Sequence, residues 1–167
     1  MDQKNELFLE ALRCALRGDV MPDRPEVGEE VWSSILTIAR KHHLLPMIYE
    51  AIYAEPGMVN SPVGISGRSD VMKSVFTQTM KTMEFLELYG NLCRAGVTPL
   101  VVKGIVCREL YPQPDHRPSG DEDLWIRPEQ FALCHQVFTE FGMHTAVSGE
   151  DLSESFEVPY RKAGSLL

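Results

Sequence analysis

The stretch Arg117-Pro118-Ser119-Gly120-Asp121-Glu122-Asp123-Leu124-Trp125-Ile126 places two carboxylates, at positions i and i+2, where a polar loop leads into an apolar strand. Because successive side chains of a strand point to opposite faces, Asp121 and Asp123 are predicted to share one face, roughly 6–7 Å apart. Two oxygen ligands at this spacing suit Mg²⁺ or Mn²⁺. Ser119 and Gly120 provide a small, flexible approach for a phosphate. The stretch therefore predicts the metal-binding edge of a phosphoryl- or nucleotidyl-transfer site.

A simpler interpretation of the same motif is structural. An Asp-x-Asp pair at a loop–strand boundary often only ends the strand or forms an Asx turn with its own backbone. Short motifs have many false positives, so the metal interpretation needs support from elsewhere in the chain. Glu122 lies between the two aspartates and is predicted to point to the opposite face, so it is not counted as a ligand.

The support lies upstream, at Lys103-Gly104. Residues 97–102 are β-branched and almost all apolar, which predicts a buried strand that ends at Lys103. A short helix is predicted over residues 105–111, and the N–H groups at its start favour an anion. Gly104 would let a phosphate approach the backbone, and Lys103 would add a positive charge. Taken alone, the pair is better explained as a tight turn beside a solvated lysine, and only the combination with the Asp-x-Asp motif makes the phosphate interpretation preferable.

Two side chains of the loop, those of Arg117 and Ser119, each have more than one possible role. Arg117 precedes Asp121 by four residues and suits either a bidentate contact with a phosphate or the positioning of a site carboxylate. It is equally consistent with an ordinary loop charge. Ser119 can donate to a phosphate or merely cap the turn.

The remaining pattern predicts a helical first half and a mixed second half. Helices are predicted at residues 7–17, from Glu29 to 43, at 47–52 and from Asp70 to about 95, and the Gly-, Pro- and Ser-rich segment 55–69 is predicted to be a mobile connection. After residue 95 the pattern predicts β-α-β-α-β, with strands at 97–102, 121–126 and 143–147 and a helix opened by Pro128. Residues 156–167 are predicted to form a hairpin that turns at residues 162–164. The sequence thus indicates an α+β protein.

Composition limits the possible functions. The chain has 167 residues, 44% apolar and 24% charged, which suits a soluble protein of one domain, or of one domain with a small appendage. Its net charge of −8 argues against a general nucleic-acid binder. No apolar run is long enough to predict a membrane span. Four scattered cysteines without a C-x-x-C pair favour a reduced, cytoplasmic setting without structural zinc.

Three segments together resemble the uncharacterised bacterial nucleotidyltransferase family of the DNA polymerase β superfamily. These are the apolar strand that ends in Lys103-Gly104, the segment Leu110-Tyr111-Pro112, and the run from Arg117 to Leu124. Residues 39–46 are also similar to the family's helical N-terminal region, so that the resemblance covers roughly residues 30 to 145.

The resemblance implies a helical region over residues 1–95 and a nucleotidyltransferase core, with a small mixed β-sheet and flanking helices, over residues 96–167. Asp121 and Asp123 would bind Mg²⁺ or Mn²⁺ and act in catalysis. The phosphates of a nucleoside triphosphate would lie near Lys103, Gly104, Arg117, Ser119 and Gly120. An acceptor hydroxyl, on a small molecule or a protein, would attack the α-phosphate and release pyrophosphate while two metal ions stabilise the entering and leaving oxygens.

The chain departs from the family pattern in two ways. Glu122 stands where relatives have an apolar residue between the two aspartates. The superfamily also needs a third carboxylate on a neighbouring strand, which the resemblance would place after Leu167; Glu157 is the only carboxylate of that region on a predicted strand. The apolar end of the chain suggests a fragment of a longer protein. A catalytically inactive nucleotide-binding or interaction module with the same fold is therefore the alternative.

Overall fold

The computed structural model describes residues 2–24, 26–147 and 155–164. The chain divides into two compact units, each made of two segments. The helical unit contains Met1–Thr79 and Cys107–Pro118, and the sheet unit contains Met80–Val106 and Ser119–Leu167. The domain boundary expected between residues 95 and 96 stays a prediction. The two compact units show which residues pack together, whereas the predicted boundary marks where the core of the family would begin.

Three helices, α1 (Gln3–Arg17), α2 (Glu29–Lys41) and α3 (Leu45–Ile52), form the core of the helical unit. Helix α1 ends where Gly18 adopts a left-handed conformation, with φ of 74°. Pro46 lies in the first turn of α3, where its missing N–H costs no helical hydrogen bond. The apolar faces of these helices pack around Trp32, which is fully buried. The helices predicted for residues 7–17, 29–43 and 47–52 are thus confirmed, with small differences at their ends.

Helix α4 (Pro62–Arg94) begins earlier than the sequence predicts. Ser61 caps it, since the Ser61 hydroxyl accepts a hydrogen bond of 3.0 Å from the amide of Gly64, and Pro62 occupies the first turn. The prediction of Asp70 as the N-cap is wrong: Asp70 lies within the helix and forms an ion pair of 2.7 Å with Arg40. The predicted mobile connection 55–69 is also wrong for its second half, which is helical.

The sheet unit contains two short strands, β1 (Leu100–Val101) and β2 (Leu124–Trp125), which pair in antiparallel orientation. The register sets Leu100 opposite Trp125 and Val101 opposite Leu124. Helix α5 (Ile105–Arg108) follows β1 and is shorter than the predicted helix 105–111. A 3₁₀ turn at Pro114–His116 lies in the predicted loop.

Helix α6 (Phe131–Glu140) covers the sheet unit's core and follows a 3₁₀ turn at Pro128–Gln130. Its buried side chains pack with the end of α4 and the approach to β1; the cluster comprises Leu88, Leu92, Val97, Cys134, Val137, Phe138 and Met143. Of the predicted strand 143–147, the structure shows a single bridge between His144 and Arg161. The predicted hairpin near residues 162–164 extends into 165–167, which lie outside the described residues.

The coarse prediction of an α+β protein is confirmed, since helices dominate and a small sheet is present. The described part of that sheet is two-stranded and antiparallel. None of the helices in the described ranges combines the length and the apolar character needed to cross a bilayer.

Candidate functional site

The antiparallel register places the end of β1 beside the start of β2. The amide of Val102 donates a hydrogen bond of 3.0 Å to the carbonyl of Asp123, which extends the pairing one residue beyond the two strands. The residue after Val102 is Lys103, and Asp121 lies just before the pairing begins. Residues that are 18 positions apart in the sequence therefore become neighbours in space.

Asp121 and Asp123 converge on the ammonium group of Lys103. The nitrogen Nζ lies 3.3 Å from an oxygen of Asp121 and 3.3 Å from an oxygen of Asp123. Hydrogen bonds to Asp123 and Asp121, followed by the charges of the same two groups, raise the pKa of Lys103 above its usual value. The three side chains are 40–65% exposed, so their ion pairs add little to stability and remain open to a ligand.

The two carboxylates lie on the face of the β2 segment opposite the core. Leu124 and Ile126 pack against the buried cluster of the sheet unit, whereas Trp125 is 52% exposed. Asp121 and Asp123 are in phase with Trp125, and their shared contact with Lys103 shows that they point the same way. The strand itself begins only at Leu124, so both aspartates belong to the extended residues that precede it. The expectation that Asp121 and Asp123 face one side is borne out by this geometry.

Glu122 points away from the pair and contacts the turn after β1. Its carboxylate accepts hydrogen bonds from the amide of Ile105 and, at 3.3 Å, from the hydroxyl of Ser119. Gly104 has φ of 74° in this turn, a conformation that favours glycine. A side chain at Gly104 would collide with the Glu122 carboxylate and lie 2.9 Å from the carbonyl oxygen of Asp121. Glu122 therefore ties the Lys103-Gly104 turn to the segment that carries both aspartates.

Lys81 of α4 holds the loop before the aspartates. Its ammonium group donates to the carbonyl oxygens of Ser119 and Gly120, at 3.1 and 3.3 Å. Gly120 is exposed, with open space around the position of a Cβ atom. Ser119 has its hydroxyl on Glu122, so the structure shows it as part of the turn. The predicted phosphate contacts of Ser119 and Gly120 stay predictions.

Arg117 belongs to the helical unit. Its guanidinium lies over the ring of Tyr111, with 5.7 Å from the central carbon to the ring centroid. This cation–π contact gives Arg117 a local structural role. Its expected role at a phosphate or a carboxylate stays a prediction.

The contacts of two residues of the site, Lys81 and Glu122, were not predicted from the sequence. Lys81 lies about 40 residues before the loop that it holds, on a helix face where a lysine is ordinary, so no local signal marks it. Glu122 did carry a signal, since it is a charged residue between two aspartates where the chain enters a strand, but its partner at Ile105 depends on the fold.

The donor set of this site fits a divalent cation. The carboxylates of Asp121 and Asp123 already share one cation, the ammonium group of Lys103. Their distances of 3.3 Å from the Lys103 nitrogen are longer than the 2.0–2.1 Å at which Mg²⁺ binds oxygen, so both carboxylates would have to move closer to such an ion. Mg²⁺ commonly uses one or two carboxylates and completes its shell with water and phosphate oxygens. Over the described residues, no group of three His, Cys, Asp or Glu side chains is placed to hold a metal ion.

Comparison with known proteins gives one result that bears on this geometry. Searches of curated proteins and of solved structures returned no match to the chain. A family model described as "Uncharacterised nucleotidyltransferase" matches residues 28–165, which includes both strands, the Lys103-Gly104 turn and the two aspartates. This match covers most of the chain and both units. The chain therefore belongs to this family of uncharacterised nucleotidyltransferases.

Proposed function

We propose that the protein is a Mg²⁺-dependent nucleotidyltransferase that moves a nucleoside monophosphate from a nucleoside triphosphate to a hydroxyl acceptor and releases pyrophosphate. Membership of the family supports the general class of reaction. The convergence of Asp121 and Asp123 on one cation is the observation that carries the proposal for this chain. A divalent ion in that position would neutralise charge on the triphosphate and polarise the acceptor hydroxyl.

The residues of the site have separate tasks in this reaction. Asp121 and Asp123 hold the divalent ion on the open face of the sheet. Lys103 provides a positive charge beside them for the non-bridging oxygens of the triphosphate. Glu122 keeps the turn and the aspartates in register through the amide of Ile105. A phosphate would reach that amide only by exchange with the Glu122 carboxylate.

The acceptor is proposed to be a hydroxyl group of a small molecule or a protein. The net charge of −8 would repel a polynucleotide, because nucleic-acid binders normally need a positive surface for the phosphate backbone. This argument concerns the class of acceptor and not its identity.

A catalytically inactive nucleotide-binding module is the second candidate. It is favoured by the absence, in the described part of the chain, of a third carboxylate grouped with Asp121 and Asp123. Two carboxylates suffice to hold a metal–nucleotide complex, whereas removal of the acceptor proton and binding of a second metal normally need another. The two candidates predict the same binding and differ in turnover.

A thermal-shift titration tests the binding that both candidates share. The chain is heated with ATP, GTP, CTP or UTP, each with and without Mg²⁺ or Mn²⁺. A nucleotide at a hundredfold excess over its Kd stabilises the folded state by about 2.7 kcal/mol, which is readily detected. We expect a metal-dependent shift for the wild type that Asp121→Asn/Asp123→Asn abolishes. The double variant Glu87→Gln/Glu129→Gln removes two exposed carboxylates of the sheet unit and serves as the charge-matched control.

The outcome separates the proposals. No metal-dependent shift with any of the four nucleotides, or an equal loss in the control variant, would contradict a nucleotide site at the two aspartates. Binding is then followed with nucleotide labelled at the α-phosphate, by measuring label transfer and pyrophosphate release. Release that requires both aspartates supports the enzyme, and binding without release supports the inactive module.

A further inference from the structure

Lys103 occupies the position that the proposed function assigns to a divalent cation. Its nitrogen lies 3.3 and 3.4 Å from the two oxygens of Asp121 and 3.3 Å from one oxygen of Asp123. Without a cation the two carboxylates would repel each other across a small gap. The ammonium group cancels one of the two negative charges and keeps both carboxylates pointed at one place.

An ammonium group and a metal ion cannot share this place. Mg²⁺ and Mn²⁺ are strong competitors for carboxylate oxygens, and Mg²⁺ binds such oxygens at 2.0–2.1 Å. If the nitrogen of Lys103 stayed within hydrogen-bond distance of the same oxygens, it would lie only a few ångströms from the divalent ion. The two cations repel each other at that distance, and solvent weakens this repulsion without removing it. Metal binding therefore favours the release of Lys103 from the carboxylates.

The side chain of Lys103 is free to make this move. It is 50% exposed, and its flexible stem lets the ammonium group be redirected without a change in the backbone. It also lies beside the turn at Gly104, where the proposed function places the triphosphate. A triphosphate bound to the metal offers the displaced ammonium group a new anionic partner at the moment when it loses the old one.

We propose that Lys103 is an exchange cation: it holds Asp121 and Asp123 together in the unloaded protein and transfers to the triphosphate when the metal–nucleotide complex binds. The inference rests on the proposed function and adds to it that the metal ion and the nucleotide depend on each other for tight binding. A metal ion alone would bind weakly, because Lys103 would have to leave the carboxylates without gaining another partner. A metal ion and a nucleotide would each bind more tightly when both are present, because Lys103 then gains the triphosphate as its partner. The two ligands are thereby linked, each raising the affinity for the other.

The test measures Mn²⁺ binding to the whole chain by electron paramagnetic resonance, first without nucleotide and then with each of the four nucleoside triphosphates. We expect Lys103→Met to bind Mn²⁺ alone about three- to tenfold more tightly than the wild type, which is the size of one or two surface ion pairs. The same variant should bind the Mn²⁺–nucleotide complex about tenfold more weakly, because a charged contact with phosphate is lost. A lysine that only supported the fold would not shift the two affinities in opposite directions.

Three controls make the result decisive. Lys73→Met removes an exposed lysine of α4 and should leave both affinities unchanged. Lys103→Arg keeps a cation on the carboxylates and should bind Mn²⁺ alone within about twofold of the wild type, since arginine forms comparable surface pairs. Circular dichroism confirms that each variant is folded. If Lys103→Met does not fold, Lys103→Gln replaces it with the same expected sign.

Different results would refute this inference and the proposed function. If Mn²⁺ alone binds Lys103→Met with unchanged or lower affinity, while Asp121→Asn/Asp123→Asn loses Mn²⁺, the exchange is refuted and the metal site stands. If Asp121→Asn/Asp123→Asn binds Mn²⁺ as the wild type does, the metal site itself is refuted, and the exchange with it.

Discussion

Substitution of Gly104 by alanine tests how the turn after β1 is fastened to the aspartates. A Cβ atom would force a left-handed conformation on a residue with a side chain, which costs about 1–2 kcal/mol. It would also collide with the Glu122 carboxylate and break that group's hydrogen bond with the amide of Ile105. A hydrogen bond to a charged group contributes about 1.5–3 kcal/mol. Gly104→Ala should therefore lower the free energy of unfolding by about 2.5–5 kcal/mol, the two costs combined.

The assay is urea unfolding followed by circular dichroism, run as a double-mutant cycle with Glu122→Ala. Removal of the Glu122 side chain eliminates the collision with the carboxylate, so Gly104→Ala should cost less in that background. What remains is the conformational part of about 1–2 kcal/mol and the close approach of the Cβ atom to the carbonyl oxygen of Asp121. The difference between the two backgrounds is the coupling between Gly104 and Glu122. An equal cost of Gly104→Ala in both backgrounds would refute the conclusion that Glu122 fastens the turn.

Two further predictions concern groups outside the proposed site. Burial raises the pKa of Glu55, which is 2% exposed and accepts a hydrogen bond from the amide of Arg24. Because the raised pKa belongs to the folded state, Glu55 favours folding below its ordinary value of 4.5, and this contribution is lost as the pH rises through the raised pKa. Glu55→Gln keeps an acceptor for the amide of Arg24 but carries no charge. The free energy of unfolding of the variant, measured with urea, should therefore rise relative to that of the wild type as the pH increases from 4.5 to 7. A constant difference across that range would contradict the assignment. Burial also raises the pKa of Cys134 to about 11, so iodoacetamide should label the exposed Cys93 in the folded protein and reach Cys134 only after unfolding, as read by peptide mass mapping; early labelling of Cys134 would show that its surroundings open.

Features encoded within a few residues were predictable from the sequence. Gly18 and Gly142 each follow a helix and adopt positive φ, as their positions after an apolar periodic segment indicate. The common orientation of Asp121 and Asp123 follows from the two-residue period of an extended chain, which holds even though the strand starts only at Leu124. These features need no knowledge of what packs where.

Features that depend on distant partners were not predictable. Asp70 has the chemistry of an N-cap, but Ser61 and Pro62 already start the helix, and Asp70 pairs with Arg40 instead. The length of the predicted strands was overestimated because an apolar, β-branched run shows which residues avoid water and not which of them find a hydrogen-bonding neighbour. For the same reason nothing near Lys81 indicates that it holds a loop about 40 positions away.

The pairing of Leu100 with Trp125 has a consequence for how this sequence tolerates changes in length. A shift of the strands by one position would turn Glu122 towards Lys103 and send both aspartates to the opposite side. A single residue inserted between Asp123 and Trp125 would cause such a shift. An insertion near Leu110, which is 83% exposed and lies between the two strands in sequence, would leave the pairing intact. The geometry of the carboxylates therefore depends on the alignment of two short strands and not on the number of residues that connect them.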